Sequence, residues 1–174
     1  LDYYLSEAAE EILLDILNPQ GQVVRSYASS RSADYYDTTQ LPHPTYWIRP
    51  DRPLLTAAGQ QRFVWDLHYD PPRGAKREFS IAATYQNTPS GPQGPFVLPG
   101  EYQVRLNIDG EVIEKMLTVK MDPRFQGSMD DLVQQHRLSM ECYDAYHKLQ
   151  TMKEAIEGAG NASSKLLQLK GEGQ

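Results

Sequence analysis

The dipeptide Asp109-Gly110, set between two long alternating segments, constrains this chain more than any other feature of its sequence. Both residue types tolerate the positive φ angles of a two-residue hairpin turn, whose twist matches that of the flanking antiparallel strands. Residues 111–121 return as the partner strand. Before the turn, alternate positions of residues 101–108 are apolar and point to one face, namely Tyr102, Val104, Leu106 and Ile108. The sequence therefore predicts a hairpin with one buried face.

The N-terminal part of the chain predicts a second hairpin. Residues 11–17 are apolar enough for a buried strand, and residues 22–27 resume the β pattern. Between them, residues 18–21 read Asn-Pro-Gln-Gly, with Pro and Gly where a tight turn favours them. Residues 2–5 are short and β-prone, and predict one more strand.

Residues 62–69 also alternate and predict a central strand, and residues 80–85 predict a further short strand. In the first of these segments, one face carries Phe63, Trp65 and Leu67. We interpret Trp65 as a core anchor rather than a ligand platform. The predicted structural core combines this face with that of the first hairpin, and consists of Phe63, Trp65, Leu67, Tyr102, Val104 and Leu106.

A long loop is predicted at residues 28–61, because its prolines at positions 42, 44, 50 and 53 interrupt regular structure. A loop of this length in a compact domain is either functional or packed by its own side chains. It contains four aromatic residues that could form a platform for a carbohydrate or a protein partner: Tyr35, Tyr36, Tyr46 and Trp47.

The C-terminal segment, residues 125–174, changes to a helical period. Ser128 and Asp131 fit a capping box, in which a hydroxyl at the N-cap and a carboxylate three residues later satisfy the first amides of a helix. Gly158 and Gly160 predict a helix end, and Asn161 a new cap, so we expect helices at about 128–157 and 162–170 that form a helical hairpin. The first helix carries one apolar stripe: Met129, Leu132, Val133, His136, Met140, Tyr143, Tyr146 and Leu149.

Composition excludes several classes of function. The 174 residues carry a net charge of −6 and a pI of about 5.2, which argues against binding to the phosphate backbone of nucleic acids and to anionic lipid. The sequence lacks a run of about 18 apolar residues, so we expect it to stay outside the membrane. Cys142 is the one cysteine, so no intrachain disulfide can form.

Catalytic and metal-binding patterns are weak in this sequence. His136 and His147 lie 11 residues apart, about 16 Å along a helix, which is too far for one metal ion to bridge. Cys142 lies in a predicted helix without a surrounding nucleophile signature, and we interpret it as a small apolar side chain. Asp34 and Asp37 offer oxygen ligands for calcium, although such a run is more often a solvated loop. We predict no catalytic residue, no metal site and no cofactor.

Five motifs follow one another along the chain: Leu-Asp-Tyr-Tyr-Leu at residues 1–5, Pro-Thr-Tyr-Trp-Ile-Arg-Pro at 44–50, Gly59 followed by Arg-Phe-Val-Trp-Asp-Leu at 62–67, Leu-Pro-Gly-Glu-Tyr-Gln-Val-Arg-Leu at 98–106 and Val-Lys-Met-Asp-Pro-Arg at 119–124. The same motifs recur in this order in a known family. The sequence resembles the C-terminal region of bacterial sortilin-like β-propeller proteins with BNR (Asp-box) repeats, commonly labelled glycosyl hydrolases. The Phe-x-Trp-Asp and Pro-Gly-x-Tyr elements also resemble the immunoglobulin-like domain of the flagellar hook-capping protein.

The resemblance implies a mainly β fold, an immunoglobulin/fibronectin-like β-sandwich over residues 1–124 followed by the α-helical hairpin tail. It also implies a secreted or periplasmic protein whose propeller, and any export signal, precede Leu1. Any hydrolase activity would belong to that propeller. The sequence contains no Asp-box of the form Ser-x-Asp-x-Gly-x-Thr-Trp, so no catalytic residue is carried over from the family.

Two functions from different classes are consistent with the sequence. The chain is expected to be a non-catalytic accessory module whose partner is the upstream propeller, with a dimer formed through the tail as a further option. The alternative is a carbohydrate-binding module that uses Tyr46 and Trp47 to stack on a glycan. An enzyme is the third option, because no paired base, nucleophile or metal set emerges. Exposed, coplanar rings would favour the carbohydrate function, and rings buried under the loop would favour the accessory function.

Overall fold

A computed structural model describes residues 1–30, 43–49, 53–75, 84–89 and 91–171, with the side chains described up to residue 159. These residues are mostly β, with two antiparallel sheets and one C-terminal helix. Tyr35 and Tyr36 of the predicted platform, Asp34 and Asp37 of the calcium alternative, and most of the predicted strand at 80–85 lie outside the described residues.

The larger sheet has four strands in the order β3-β2-β5-β6, each antiparallel to its neighbour. Its two hairpins agree with the two predicted from the sequence. At the turn of the more C-terminal hairpin, Asp109 and Gly110 have φ angles of 50° and 96°, which confirms the two-residue turn. The strands are β2 (Ile12–Leu17), β3 (Val23–Ala28), β5 (Gly100–Ile108) and β6 (Glu111–Val119).

The smaller sheet pairs β1 (Asp2–Leu5) with β4 (Gly59–Arg62). Exposed Asp2 and Arg62 face each other across this pair, with 2.7 Å between the guanidinium Nε and the carboxylate. The predicted strand β1 is confirmed. Its partner, however, comes from the end of the long Pro-rich loop, where the sequence predicted no strand.

One apolar core joins the two sheets. Register places Ile12 opposite Ile108, and residues directly opposite in an antiparallel pair share a face. Trp65 packs edge-on against Tyr102, with 5.7 Å between the ring centroids. The buried cluster contains Leu5 from the smaller sheet, Ile12, Leu14, Ile16, Val24, Tyr102 and Leu106 from the larger one, and Leu54, Phe63, Trp65 and Val97 from connecting segments.

The structure corrects the strand predicted at residues 62–69. Strand β4 ends at Arg62, and Leu67 has a φ of 62°, in the left-handed region that a leucine rarely adopts. The positive φ at Leu67 breaks the alternation of inward and outward side chains. His68 is therefore buried in place of Leu67, which is 37% exposed. The assignment of Leu67 to the core is therefore wrong. The other assigned core residues are buried, except Val104, which is half-buried against the cluster.

The tail is one helix, α1 (Met129–Gly171), and not the two helices of the predicted hairpin. Glycine inside a helix costs only about 1 kcal/mol relative to alanine, so Gly158 and Gly160 can be tolerated where no proline removes a backbone hydrogen bond. The predicted start is confirmed. The Asp131 amide donates to Ser128 Oγ at 3.1 Å, and the Ser128 amide donates back to the Asp131 carboxylate at 3.2 Å.

Candidate functional site

The aromatic residues of the predicted platform lie in a short 3₁₀ turn, Thr45–Trp47, which follows Pro44. Tyr46 is 75% exposed, whereas Trp47 is half-buried. Trp47 contacts a third ring, Tyr85, with 5.7 Å between centroids. Tyr46, Trp47 and Tyr85 are called the aromatic cluster below.

Backbone hydrogen bonds hold the two segments of the aromatic cluster together. The Arg49 amide donates to the Thr88 carbonyl, and the Thr88 amide donates to the Trp47 carbonyl, both at 2.8 Å. Thr88 Oγ1 accepts from the Tyr85 amide and donates to the Tyr85 carbonyl, each at 3.0 Å. A local turn therefore fixes Tyr85 beside a residue 38 positions earlier in the chain.

The ring planes of the aromatic cluster are steeply inclined to one another. The Tyr46 and Trp47 rings meet at 86°, and the Trp47 and Tyr85 rings at 65°. This edge-to-face packing is the arrangement that aromatic quadrupoles favour. Tyr46 and Trp47 are therefore not coplanar, which was the geometry expected of a two-ring carbohydrate platform. They are not jointly buried either, so one exposed ring face, that of Tyr46, remains for stacking.

A second candidate site is an apolar cleft between the two sheets, with a volume of about 290 Å³. Among the described strands, β1 pairs only with β4 and β6 pairs only with β5, so each of these two strands leaves one edge unpaired. Ile113 on β6 lies opposite Leu106 and is 47% exposed. The lining consists of Leu1, Asp2, Tyr3, Tyr4, Leu14, Phe63, Val104, Leu106, Ile108, Ile113, Lys115, Met116 and Leu117.

The cleft is lined mainly by apolar side chains, together with the charged side chains of Asp2 and Lys115. Strand register places Lys115 of β6 opposite half-buried Val104 of β5. A charged side chain therefore lies on the side of the sheet that otherwise packs against the core. A charged residue pointing inward on an edge strand discourages another strand from adding to that edge. The cleft can accept an apolar group, with Asp2 and Lys115 as its charged side chains.

The histidines of the helix have structural partners. His136 Nδ1 lies 2.8 Å from the Phe96 carbonyl, which makes this nitrogen the donor. His147 Nε2 accepts from the Arg73 amide at 3.3 Å. Between them, the Tyr143 hydroxyl donates to the Asp70 carbonyl at 3.0 Å. Together these bonds dock α1 against the segments that precede and follow the predicted strand at 80–85.

A groove of about 580 Å³ lies beside these docking contacts, and exposed Cys142 stands at its rim. Its other walls are Pro72, Ala75, Pro92, Gln93, Gly94, Pro95, Ser139, Tyr143 and Tyr146. In the described part of the chain, no three His, Cys, Asp or Glu side chains gather closely enough to hold a metal ion.

The shifted pKa values in the described structure belong to groups with structural contacts. Burial raises the pKa of Tyr27 and of Tyr102 to about 12. Hydrogen bonding from Arg62 lowers the pKa of Asp2, and that from Ser128 lowers the pKa of Asp131. These groups order strands, the core and the start of the helix.

Sequence reasoning missed Tyr85 and the cleft-lining residues Leu1 and Tyr3. The residues Thr84 to Thr88 carry turn-forming Asn87, but nothing local indicates that Tyr85 meets Trp47. The cleft likewise depends on which strand edges remain free. Neither feature has a signal in sequence spacing, because both are contacts between distant segments.

A scan against protein-family models found no match. Searches of curated proteins and of solved structures found no significant match either. Among the described residues, no helix combines the length and the apolar character needed to cross a membrane.

Proposed function

We propose that this chain is a non-catalytic accessory module that binds another part of its own polypeptide through the aromatic cluster. The partner suggested by the sequence resemblance is the upstream β-propeller of a secreted or periplasmic bacterial protein. The single observation that carries the proposal is an exposed aromatic cluster held rigid by backbone hydrogen bonds. We also assign the sandwich to the immunoglobulin-like class, supported by its two antiparallel sheets around one core.

The aromatic cluster has the properties of an interface anchor. Tyr and Trp side chains supply a large contact area and have only two rotatable χ angles, so ordering them costs little entropy. Here that cost is reduced further, because the rings already pack edge to face and a hydrogen-bonded turn holds their backbone. Exposed Tyr46 and Tyr85 flank half-buried Trp47, which matches the clustering of aromatic hot spots in protein interfaces.

The pKa shifts support a non-catalytic role for the described residues. Catalytic acids and bases usually have pKa values moved towards neutrality. Here the shifts go the other way. Buried Tyr102 keeps its proton to a higher pH, and Asp131 keeps its charge to a lower pH. Both shifts favour the protonation state found at neutral pH.

The alternative function is carbohydrate binding by Tyr46. Its exposed ring could stack on one sugar, because a flat aromatic face matches the C–H surface of a pyranose ring. The perpendicular Trp47 ring would then meet the sugar edge-on rather than extend the platform. This geometry favours a single-sugar contact, which is weaker than a two-ring platform.

The test is to prepare the upstream propeller alone and joined to this chain, and to compare the melting temperatures of the propeller. We expect a higher melting temperature in the joined protein, and a loss of that gain with Tyr46→Ala and Tyr85→Ala. Each kcal/mol of interface free energy corresponds to roughly 2–4 °C for a domain of about 200 residues. Phe125→Ala is the control, because Phe125 is an exposed aromatic residue outside both the aromatic cluster and the apolar cleft.

Glycan binding decides between the two functions. Cellohexaose and chitohexaose are titrated by calorimetry into the chain and into the Tyr46→Ala variant. Equal melting temperatures of the propeller with and without the chain would overturn the accessory function. Micromolar binding of either glycan that is lost in Tyr46→Ala would establish the carbohydrate function in its place.

A further inference from the structure

Helix α1 has two faces with different surroundings. One face, called the docked face, consists of the half-buried residues that lie towards the β-strands and their loops: Leu132, His136, Ser139, Met140, Tyr143, His147, Gln150 and Glu154. The other, called the outer seam, consists of exposed residues spaced 4-3-4-3-4 along the helix: Leu138, Cys142, Ala145, Leu149, Met152 and Ile156.

Most of the outer seam points away from the rest of the molecule, and Cys142 lies at its border, where it also lines the groove beside the loops. Each of its residues follows a docked-face residue by two positions, as Ala145 follows Tyr143 and Leu149 follows His147. Two positions on an α-helix correspond to a rotation of about 200°. The contacts of Tyr143 and His147 with the loops therefore place Ala145 and Leu149 on the opposite side of α1.

The spacing of the outer seam is that of a coiled coil. Alternating steps of four and three residues place apolar side chains at the a and d positions of a heptad, which form a continuous stripe facing a partner helix. Its large side chains are well exposed, with 66% for Leu149, 61% for Met152 and 72% for Ile156. Covering them with another helix removes apolar surface from water.

We propose that the outer seam binds the same seam of a second copy of this chain, with the two helices antiparallel. The order of side-chain sizes along the outer seam favours this pairing. When the helices cross near residue 147, Cys142 faces Met152 of the copy and Ala145 faces Leu149, so each small residue meets a large one. Leu138 faces Ile156. A parallel pair would instead place Ala145 on Ala145 and leave a gap, which costs packing energy.

Charges beside the seam have a minor effect on this pairing. In the antiparallel pair, Lys148 lies next to Lys148 of the copy, close to the symmetry axis. In a parallel pair, Lys148 would instead approach Lys153. Exposed like charges cost little and are screened at physiological salt, with a Debye length of about 8 Å. Salt should therefore strengthen the association slightly.

The helix is prepared for this association before the copy binds. The capping box of Ser128 and Asp131 and the docked face order α1 in the single chain. Dimerisation then does not have to fold the helix, which removes a cost that free peptides of this length meet. The outer seam is separate from the aromatic cluster. A chain that fails to dimerise would therefore leave the proposed function of the aromatic cluster untouched.

The first experiment measures dimerisation of the full chain by sedimentation equilibrium up to about 200 μM, a range that captures micromolar affinities. We expect a concentration-dependent dimer, with Leu149→Glu weakening it at least tenfold. Thr151→Glu is the matched control, because it adds the same charge to exposed helix surface outside the seam. A wild-type chain that stays monomeric, or equal weakening by both variants, would overturn the proposal.

The second experiment tests orientation with disulfides. In the antiparallel pair, the Cys142 thiols of the two copies lie about 15 Å apart along the axis, so the wild-type chain should resist oxidative cross-linking. Met152→Cys should create a fast cross-link to Cys142 of the copy, and Cys142→Ser in that background should abolish it. Rapid cross-linking of wild-type Cys142 to its copy would overturn the antiparallel arrangement.

Discussion

The four-stranded sheet and helix α1 are stabilised in different ways. The sheet contains Ile12 and Ile16, whose side chains are fully buried, and its inner face continues into Trp65 through the Tyr102 ring. From Met129 to residue 159, every side chain of the helix is at least partly exposed. The helix relies on its cap and on polar contacts with the loops.

This difference separates global from local effects of mutation. Removing a buried side chain of the sheet leaves a cavity in the one apolar core, so the whole fold loses stability. The helix is held by contacts such as the Tyr143 bond to Asp70, each worth about 1 kcal/mol. Losing one of them should loosen α1 while the sheets stay folded. Core substitutions should therefore lower the stability of the whole fold by several kcal/mol, and substitutions at the helix should have smaller, local effects.

Trp65→Ala should produce the largest loss. The ring is buried, packs against Tyr102 and donates its Nε1–H to the His68 carbonyl at 3.1 Å. We expect the free energy of unfolding, measured in urea, to fall by about 3–5 kcal/mol. Val64→Ala, which removes an exposed side chain next to it, should change it by less than about 0.5 kcal/mol. Similar losses in the two variants would contradict a core anchored by Trp65.

High pH should destabilise the core before it affects the helix cap. Burial raises the pKa of Tyr102 from its ordinary value near 10 to about 12. The folded state therefore favours the neutral phenol, and the stability it contributes is fully present below pH 10 and is lost between pH 10 and 12. For this one group the loss is at most roughly 2–3 kcal/mol, because its hydroxyl is only partly buried and solvent screening reduces the effect.

The readout for Tyr102 is the slope of unfolding free energy against pH. Tyr102→Phe should flatten that slope above pH 10, although it also removes the hydroxyl bond to the Leu98 carbonyl at every pH. Tyr4→Phe changes an exposed tyrosine and should leave the slope unchanged. If Tyr102→Phe leaves the slope unchanged, the phenol of Tyr102 loses its proton in the same pH range as a solvent-exposed tyrosine.

Gly110→Val should destabilise the β5–β6 hairpin by roughly 1–2 kcal/mol, the cost of placing a residue with a Cβ in the left-handed region. Gly110 has a φ of 96°, and its position is otherwise open, so the expected effect comes from the backbone and not from a clash. Gly110→Asn should be milder, because asparagine tolerates positive φ. Equal stability of the Val variant and the wild type in urea would refute this reason.

Ser128→Ala should have the smallest effect, about 1 kcal/mol, and it should be confined to the helix. The substitution removes the hydroxyl that accepts from the Asp131 amide and donates to its carboxylate at 2.7 Å. Faster amide exchange in the first turns of α1, with unchanged exchange in β2 and β5, is the expected result. Ser128→Asp keeps an acceptor at the cap and should restore protection. Equal acceleration in the sheet would mean that cap and core unfold together.

The fold was predictable from sequence where the conformation depends on the preferences of a few adjacent residues. The Asp109-Gly110 turn, the turn at residues 18–21 and the Ser128 cap all appear where expected. Of the candidate site, sequence located Tyr46 and Trp47 but not the angle between their rings. It also merged the outer seam residue Leu149 with the docked stripe, because 3.6 residues per turn allow several apolar stripes on one helix.

The sequence by itself determined the turns, the Ser128 cap and most of the strands, because these depend on the backbone preferences of a few adjacent residues. Only the tertiary structure decided that Leu67 adopts a positive φ, that α1 continues through Gly158, and that Tyr85 packs against Trp47. Each of these features opposes or lacks a local preference. Contacts between segments far apart in the chain supply the free energy that holds them, and such contacts leave no periodic signal in the sequence.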